Sequence, residues 1–219
     1  GFDTYWEIPG GSTDARKGQW KNGPGIDFFR HIEKKVPDAR IIAEDLGYIT
    51  EGVYNLRKEA GLPGMKILQF VYGHDDNNVN LPHFHTFDQV VYTGTHDNNT
   101  VRGWLDWLRE PEADRVRHYF RLGARSDAWP IIEAAFASPA RLAVIPLQDL
   151  LNLDASARMN RPGTCEGNWI WRVTEKQLAR LRDRKTAPLQ QLHATYDRFY
   201  SERQRDYSAP PAEGPVPGH

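Results

Sequence analysis

Ile-Ile-Ala-Glu-Asp-Leu-Gly (Ile41 to Gly47) sets a paired Glu44-Asp45 at the end of a short β-branched run. Val-Val-Tyr-Thr-Gly-Thr-His-Asp-Asn (Val90 to Asn98) sets His96-Asp97 at the end of another. Carboxylates placed where parallel strands end and loops begin mark the face at which a (β/α) barrel gathers its catalytic groups. Two such places on separate strands suggest an acid/base reaction shared between carboxylates. The competing reading is that Glu44-Asp45 is a solvated or N-capping pair, and that the His-Asp-Asn-Asn run caps the helix that follows it.

Working outward, strands are expected at Arg40 to Glu44, Lys66 to Tyr72, Gln89 to Thr93 and Arg141 to Pro146. Each is nearly continuous in apolar residues, as parallel strands covered on both faces require. Helical spacing lies between them. Ile26, Phe29, His31 and Ile32 precede the first run, and Val53, Leu56 and Ala60 follow it until Gly61, Pro63 and Gly64 stop the helix. After His96-Asp97, Asn98 and Asn99 are candidate N-caps for a helix carrying Val101, Trp104, Leu105 and Leu108. Further helices are expected around Val116, Tyr119 and Phe120, and around Ile131, Ile132, Ala135 and Phe136. Thr174 and Gln177 have capping-box spacing before Leu178 and Leu181, and a second stretch puts Leu189, Leu192, Tyr196 and Tyr200 on one face.

This βαβα order predicts the α/β class, with about four parallel strands. That is half of a closed eight-stranded (β/α)8 barrel or a small open sheet, and an open half would leave strand edges unpaired. The expected organisation is a barrel portion over residues 1–201 and a disordered tail over 202–219, Pro/Gly-rich from Ser208 onward. The chain opens on Gly1 rather than Met, which suggests a missing beginning.

Composition excludes several classes. With 219 residues, 39% of them hydrophobic, the chain can bury a substantial core. A net charge of -1 without a basic run gives no electrostatic footprint for nucleic acid or an anionic membrane surface. No segment has the length of a membrane span or the layout of a signal peptide, so a cytoplasmic setting is expected. Cys165 is the only cysteine, which rules out an internal disulfide framework.

Other residues allow two readings each. His83 and His85 are a metal pair by type but lack a clear third ligand, so structural or sugar-facing roles are favoured. The long Pro146 to Arg172 connection holds Arg158, Asn160, Trp169 and Trp171, where the tryptophans are read as packing anchors before substrate contacts. Tyr5, Trp6 and Trp20 form either a sugar-stacking wall or a buried cluster.

Seven ordered segments carry a resemblance. These are G-F-D-T-Y-W-E-I-P, I-I-A-E-D-L-G, G-M-K-I-L-Q-F, L-P-H, Y-T-G-T-H-D-N-N-T, A-R-L-A-V-I-P-L-Q-D, and A-R-M-N-R-P-G with G-N-W-I-W-R. Over Gly1 to Val173 the chain resembles the 4-α-glucanotransferase family, also called amylomaltase or disproportionating enzyme. The resemblance implies the C-terminal half of a (β/α)8 TIM barrel and retaining transfer of α-1,4-glucan segments, with maltooligosaccharides or starch and glycogen dextrins as partners. It requires no cofactor and no metal. By matching positions, Glu44 is the acid/base and Asp97 the transition-state stabiliser. His96, Asn160, Asp75 and Asp45 contact substrate, with Asp76 the alternative to Asp75. Burial of Glu44 beside an ionised Asp45 would favour its protonated form.

The family's nucleophilic Asp lies in an R-I-D-H-F-R segment just before the G-F-x-x-Y-W motif, and no carboxylate of this chain matches it. The chain alone is therefore expected to be inactive. The alternatives are a non-catalytic glucan-binding barrel fragment, an α-glucan hydrolase and a His-based metallohydrolase.

Overall fold

The opening residues form an antiparallel hairpin of β1 (Thr4–Glu7) and β2 (Gln19–Asn22) in the computed structural model. The structure describes residues 1–47, 49–72, 78–123 and 125–198. Trp6 lies directly opposite Trp20 with ring centroids 5.4 Å apart, a cross-strand aromatic pair of the kind that stabilises two-stranded ribbons. Tyr5, Trp6 and Trp20 are exposed, so the buried-cluster reading is not met among the described residues.

Helix α1 (Gly25–Lys35) and helix α2 (Glu51–Glu59) follow as their spacing predicts. The hydroxyl of Thr50 caps α2 by accepting from the Val53 N–H at 3.3 Å. The centre of the fold is a parallel sheet of β3 (Gly64–Ile67), β4 (Gln89–Tyr92) and β5 (Leu142–Val144), ordered β3-β4-β5, with Met65 opposite Val90 and Val90 opposite Leu142. Helices α3 (Val101–Trp107), α4 (Glu112–Phe120), α5 (Trp129–Ala137), α6 (Leu147–Leu150) and α7 (Glu175–Thr195) complete a mixed α/β protein.

The core joins Val91 of β4 to Val101, Trp104 and Leu105 of α3, Val116 of α4 and Ile131 and Ile132 of α5. These are the apolar stripes read from sequence. Burying each such side chain fully is worth about 1.5–3 kcal/mol, which fixes the helices against the sheet.

Four expectations are corrected. Arg40 to Glu44 forms no strand, so the described sheet has three parallel strands rather than four. The reason is local: Ala43 N–H reaches the Pro63 carbonyl at 2.9 Å, but Pro63 has no N–H to return. At the next rung, the Met65 N–H is taken at 2.6 Å by the side chain of Asp45. The strand expected to run to Tyr72 ends at Ile67, and Leu68–Phe70 turns into a 3-10 segment. Side chains replace the ladder there: Asn80 Oδ1 accepts from Ile67 N–H at 3.2 Å and Asn78 Nδ2 donates to Phe70 O at 2.8 Å.

The cap of α3 is Thr100, whose hydroxyl accepts from Gly103 N–H at 3.1 Å, rather than Asn98 or Asn99. Leu178, Leu181, Leu189 and Leu192 share one continuous helix, α7, passing through Pro188 and opened by the expected capping box, while Tyr196 follows its end and Tyr200 lies outside the described residues. The expected tail, 202–219, lies outside the described residues.

Candidate active site at the carboxyl end of the parallel sheet

Between the end of β4 and the start of α3 stands the loop Gly94 to Thr100, and it braces itself. Asn98 Oδ1 accepts from both the backbone N–H and the hydroxyl of Thr95 at 2.9 Å, while the Asp97 N–H donates back to Thr95 Oγ1 at 3.3 Å. Asp/Asn and Thr side chains favour such local turns because they reach their own backbone. The turn projects His96 and Asp97, each about half exposed.

A second segment, from the connection after α6, closes over this pair. Asn160 Nδ2 donates to Asp97 Oδ1 at 2.6 Å, and Asn160 N–H donates to His96 O at 3.0 Å. Arg158 Nη2 donates to the Asp97 carbonyl, and Arg158 Nε donates to Asn160 O at 2.8 Å. His96 Nε2 stands 3.3 Å from Asp97 Oδ1. Burial, and then the like charge of Arg161, hold Arg158 below its ordinary value against the attraction of Asp97. The result is an ionisable carboxylate held by an amide and an imidazole, with a guanidinium fixing its backbone.

Trp169 joins the same group. Its N–H donates to Met159 O at 2.8 Å and its ring centroid is 5.0 Å from that of His96. With φ at 63° it occupies the left-handed region, uncommon for a bulky residue and costing on the order of 1–3 kcal/mol. At 53% exposure Trp169 is not the packing anchor expected of it; Trp171 is half-buried. A cavity of about 170 Å³ opens between His96, Asn98, Arg158 and Trp169.

Burial and then the negative charge of Glu44 raise the Tyr92 hydroxyl above its ordinary value, so Glu44 lies within electrostatic reach of the last residue of β4. The burial expected of Glu44 is not found: the residue is exposed among the described residues. Asp45 points elsewhere. Its Oδ1 takes Met65 N–H and its Oδ2 pairs with Arg57 Nε at 3.3 Å, while Arg57 is itself buried and also donates to Leu62 O at 2.9 Å. Gly64 leaves room for it: a Cβ there would stand 2.3 Å from Asp45 Oδ2, so any side chain at 64 must displace the carboxylate. Asp75 and Asp76 lie outside the described residues.

The two histidines of the metal alternative are engaged otherwise. A carbonyl can only accept, so His85 Nε2–H donates to Asn80 O at 3.0 Å, and Nδ1 accepts from the Ser138 hydroxyl at 2.7 Å. Desolvation lowers the His85 pKa to about 4, keeping the ring neutral. His83 Nδ1 lies 2.9 Å from Tyr119 Oη. Among the described residues no three His, Cys, Asp or Glu side chains are grouped to hold a metal ion.

Two acids were given no role in the sequence reading, although one of them, Asp149, closes the A-R-L-A-V-I-P-L-Q-D segment. Asp149 on α6 is 2% exposed; its Oδ2 accepts from Thr93 Oγ1 at 2.6 Å and its Oδ1 from Val101 N–H at 2.8 Å. It carries the signal that singles out Glu44, a carboxylate shortly after an apolar strand. Asp88, in an ion pair with Arg57 at 3.3 Å, stands at the opposite end of the sheet, just before β4.

A carboxylate, an imidazole, an amide and an exposed aromatic thus gather beyond the carboxyl end of β4, in a mixed α/β protein built on a parallel sheet. The chain belongs to the 4-alpha-glucanotransferase family, whose model matches residues 1–178. It is 47% identical over 192 residues to a chloroplastic/amyloplastic 4-alpha-glucanotransferase of Arabidopsis thaliana, covering 84% of this chain and 33% of that protein. Against a 4-alpha-glucanotransferase of Streptococcus pneumoniae the identity is 45% over 183 residues, covering 81% and 36%. Amylomaltase from Streptococcus agalactiae, solved in complex with acarbose, superposes with a TM-score of 0.81 at 34% identity, covering 90% of this chain and 39% of that one. The chain thus spans about a third of the length of the curated relatives it matches.

No helix among the described residues is long and apolar enough to cross a membrane. The Arabidopsis relative is named as a plastid protein, so family membership does not confine the chain to the cytoplasm.

Proposed function

We propose that this chain supplies the acid/base and the stabilising carboxylate of a retaining 4-α-glucanotransferase acting on α-1,4-glucans, within the C-terminal part of a (β/α)8 barrel. The observation that carries the reading is the convergence of Asn160 and His96 on Asp97 Oδ1, at 2.6 Å and 3.3 Å, just beyond the carboxyl end of β4. The acarbose complex of the S. agalactiae relative supports a glucan-type ligand for this site.

In the first half-reaction a nucleophilic Asp, matched by no motif of this chain, attacks the anomeric carbon. The glycosidic C–O bond breaks and Glu44 gives its proton to the departing oxygen. In the second, the 4-hydroxyl of an acceptor gives its proton to Glu44 as its oxygen takes the glycosyl group from the enzyme. Acid and nucleophile stand about 5 Å apart in retaining enzymes, which excludes an intervening water. Asp97, placed against the sugar, bonds more strongly as positive charge develops at the ring. His96 and Asn160 fix Asp97 and bind sugar hydroxyls, and Asp75 contributes a further contact. Asp45, with both oxygens committed to Met65 and Arg57, acts on substrate only through the placement of Glu44.

A cytoplasmic setting is part of the same proposal. Residues 1–219 alone are inactive in this reading, because the attacking carboxylate comes from elsewhere. The test is a product assay with maltotriose. A ladder of longer and shorter glucans from the complete gene product supports transfer; glucose and maltose alone assign a hydrolase, and no turnover favours the glucan-binding alternative. Turnover by residues 1–219 alone would contradict the role given to the missing carboxylate.

A further inference from the structure

Asp149, beside the loop that carries His96 and Asp97, is left unused by the proposed reaction, and its position is costly. A carboxylate taken out of water loses several kcal/mol of hydration unless its partners compensate. Here they are a hydroxyl and a backbone N–H, both uncharged: Thr93 Oγ1 at 2.6 Å and Val101 N–H at 2.8 Å. Burial accordingly pushes the Asp149 pKa up to about 6, against the pull of those two bonds. Sealing a sheet against a helix does not need such a group, since an apolar side chain would do so without the hydration loss.

What the carboxylate does that an apolar residue could not is tie two points together. Thr93 is the residue after β4, and Val101 is the first residue of α3. Between them lies the seven-residue loop Gly94 to Thr100, braced internally by Thr95 and Asn98. Both ends of that loop are therefore fastened to one carboxylate. The segment that follows α6, the helix carrying Asp149, supplies Arg158 and Asn160, which hold the loop from the other side. One stretch of chain thus grips the His96-Asp97 turn from within the core and from the solvent.

We propose that Asp149 is a positioning residue for this site: by fixing Thr93 and Val101 it sets where Asp97 stands relative to the sugar ring. The inference rests on the assignment of Asp97 as stabiliser, and it concerns kcat rather than substrate affinity. A displaced stabiliser loses contact with charge that exists only in the transition state, so ground-state binding is spared.

The experiment compares Asp149→Asn, Thr93→Val and Asp97→Asn in the complete gene product with maltotriose, alone and with Asp149→Asn or Thr93→Val added to Asp97→Asn. Asp149→Asn is expected to lower kcat about tenfold or more while KM moves by less than about twofold. In the Asp97→Asn background the same change should lower kcat by less than about twofold, because the group it positions is already gone. A kcat unaltered by Asp149→Asn, or a loss that adds in full to that of Asp97→Asn, overturns the inference. Thr93→Val keeps the side-chain shape and removes one of the two bonds. If Asp149→Asn does not fold, Thr93→Val decides by the same criteria. Should Asp97→Asn itself retain its kcat, the assignment of Asp97 fails; if Asp97→Asn loses kcat and Asp149→Asn does not, only the positioning role fails.

Discussion

Asn160 and Asp97, 63 residues apart in sequence, meet through a 2.6 Å hydrogen bond from Nδ2 to Oδ1, and the Asn160 N–H takes the carbonyl of the neighbouring His96 at 3.0 Å. The side-chain bond sets the orientation of the carboxylate, and the backbone bond sets the height of the turn that carries it. Asn160→Ala keeps the second and deletes the first. A hydrogen bond to a charged group contributes about 1.5–3 kcal/mol, so kcat in the complete gene product is expected to fall about ten- to a hundredfold. Steady-state kinetics on maltotriose check this, and a loss confined to KM would show that Asn160 binds sugar without orienting Asp97.

Gly64 and Asp45 impose a steric condition. With a Cβ 2.3 Å from Asp45 Oδ2, Gly64→Ala must push the carboxylate off Met65 N–H and Arg57. Overpacking of this kind costs about 1–3 kcal/mol, to which the loosened Arg57 pair adds. Urea unfolding should register a loss in that range. The same variant should also lower transferase activity, since Asp45 adjoins Glu44.

His85 gives a pH dependence of definite sign. Its pKa in the folded protein is about 4, below the usual value of 6.5, so the unfolded chain binds more protons between those limits. Its contribution is present above pH 6.5 and is lost as pH falls toward about 4. Asp149 works in the opposite sense, because its pKa is raised to about 6 and its protonation relieves burial as pH falls below that. The His85 contribution is therefore isolated by difference. The unfolding free energy of the protein minus that of His85→Gln should shrink by about 3 kcal/mol on going from pH 7 to pH 4. A difference independent of pH would remove His85 from this role.

The helices and the polar rim were legible in sequence for different reasons. Val101, Trp104, Leu105 and Leu108 recur at helical spacing and all four are buried, so periodicity alone located α3. His96 and Asp97 were found by their place after an apolar run, and Asn160 by resemblance, since nothing in its own neighbourhood points across 63 residues to Asp97. The expected strand at Arg40 to Glu44 fails because strand formation is a property of partners. Pro63 accepts one backbone bond from Ala43 but has no N–H to donate, and an aspartate side chain takes the Met65 N–H that the next rung would need. Asp149 was missed because a buried acid and an exposed one look alike until the helix carrying it is placed. Trp169 was assigned to the core from its size, whereas its left-handed backbone turns it outward onto His96.

The central claim is that Glu44 donates and recovers the proton while Asp97 stabilises the same reacting sugar. Glu44→Gln in the complete gene product should lose transfer from maltotriose, yet still release fluoride from α-maltosyl fluoride, whose leaving group needs no proton. Added azide should then capture the glycosyl-enzyme, forming a C–N bond in place of the enzyme ester. The account predicts α-maltosyl azide from Glu44→Gln and no azide product from Asp97→Asn. Absence of azide capture by Glu44→Gln, or a β-configured azide, would contradict it.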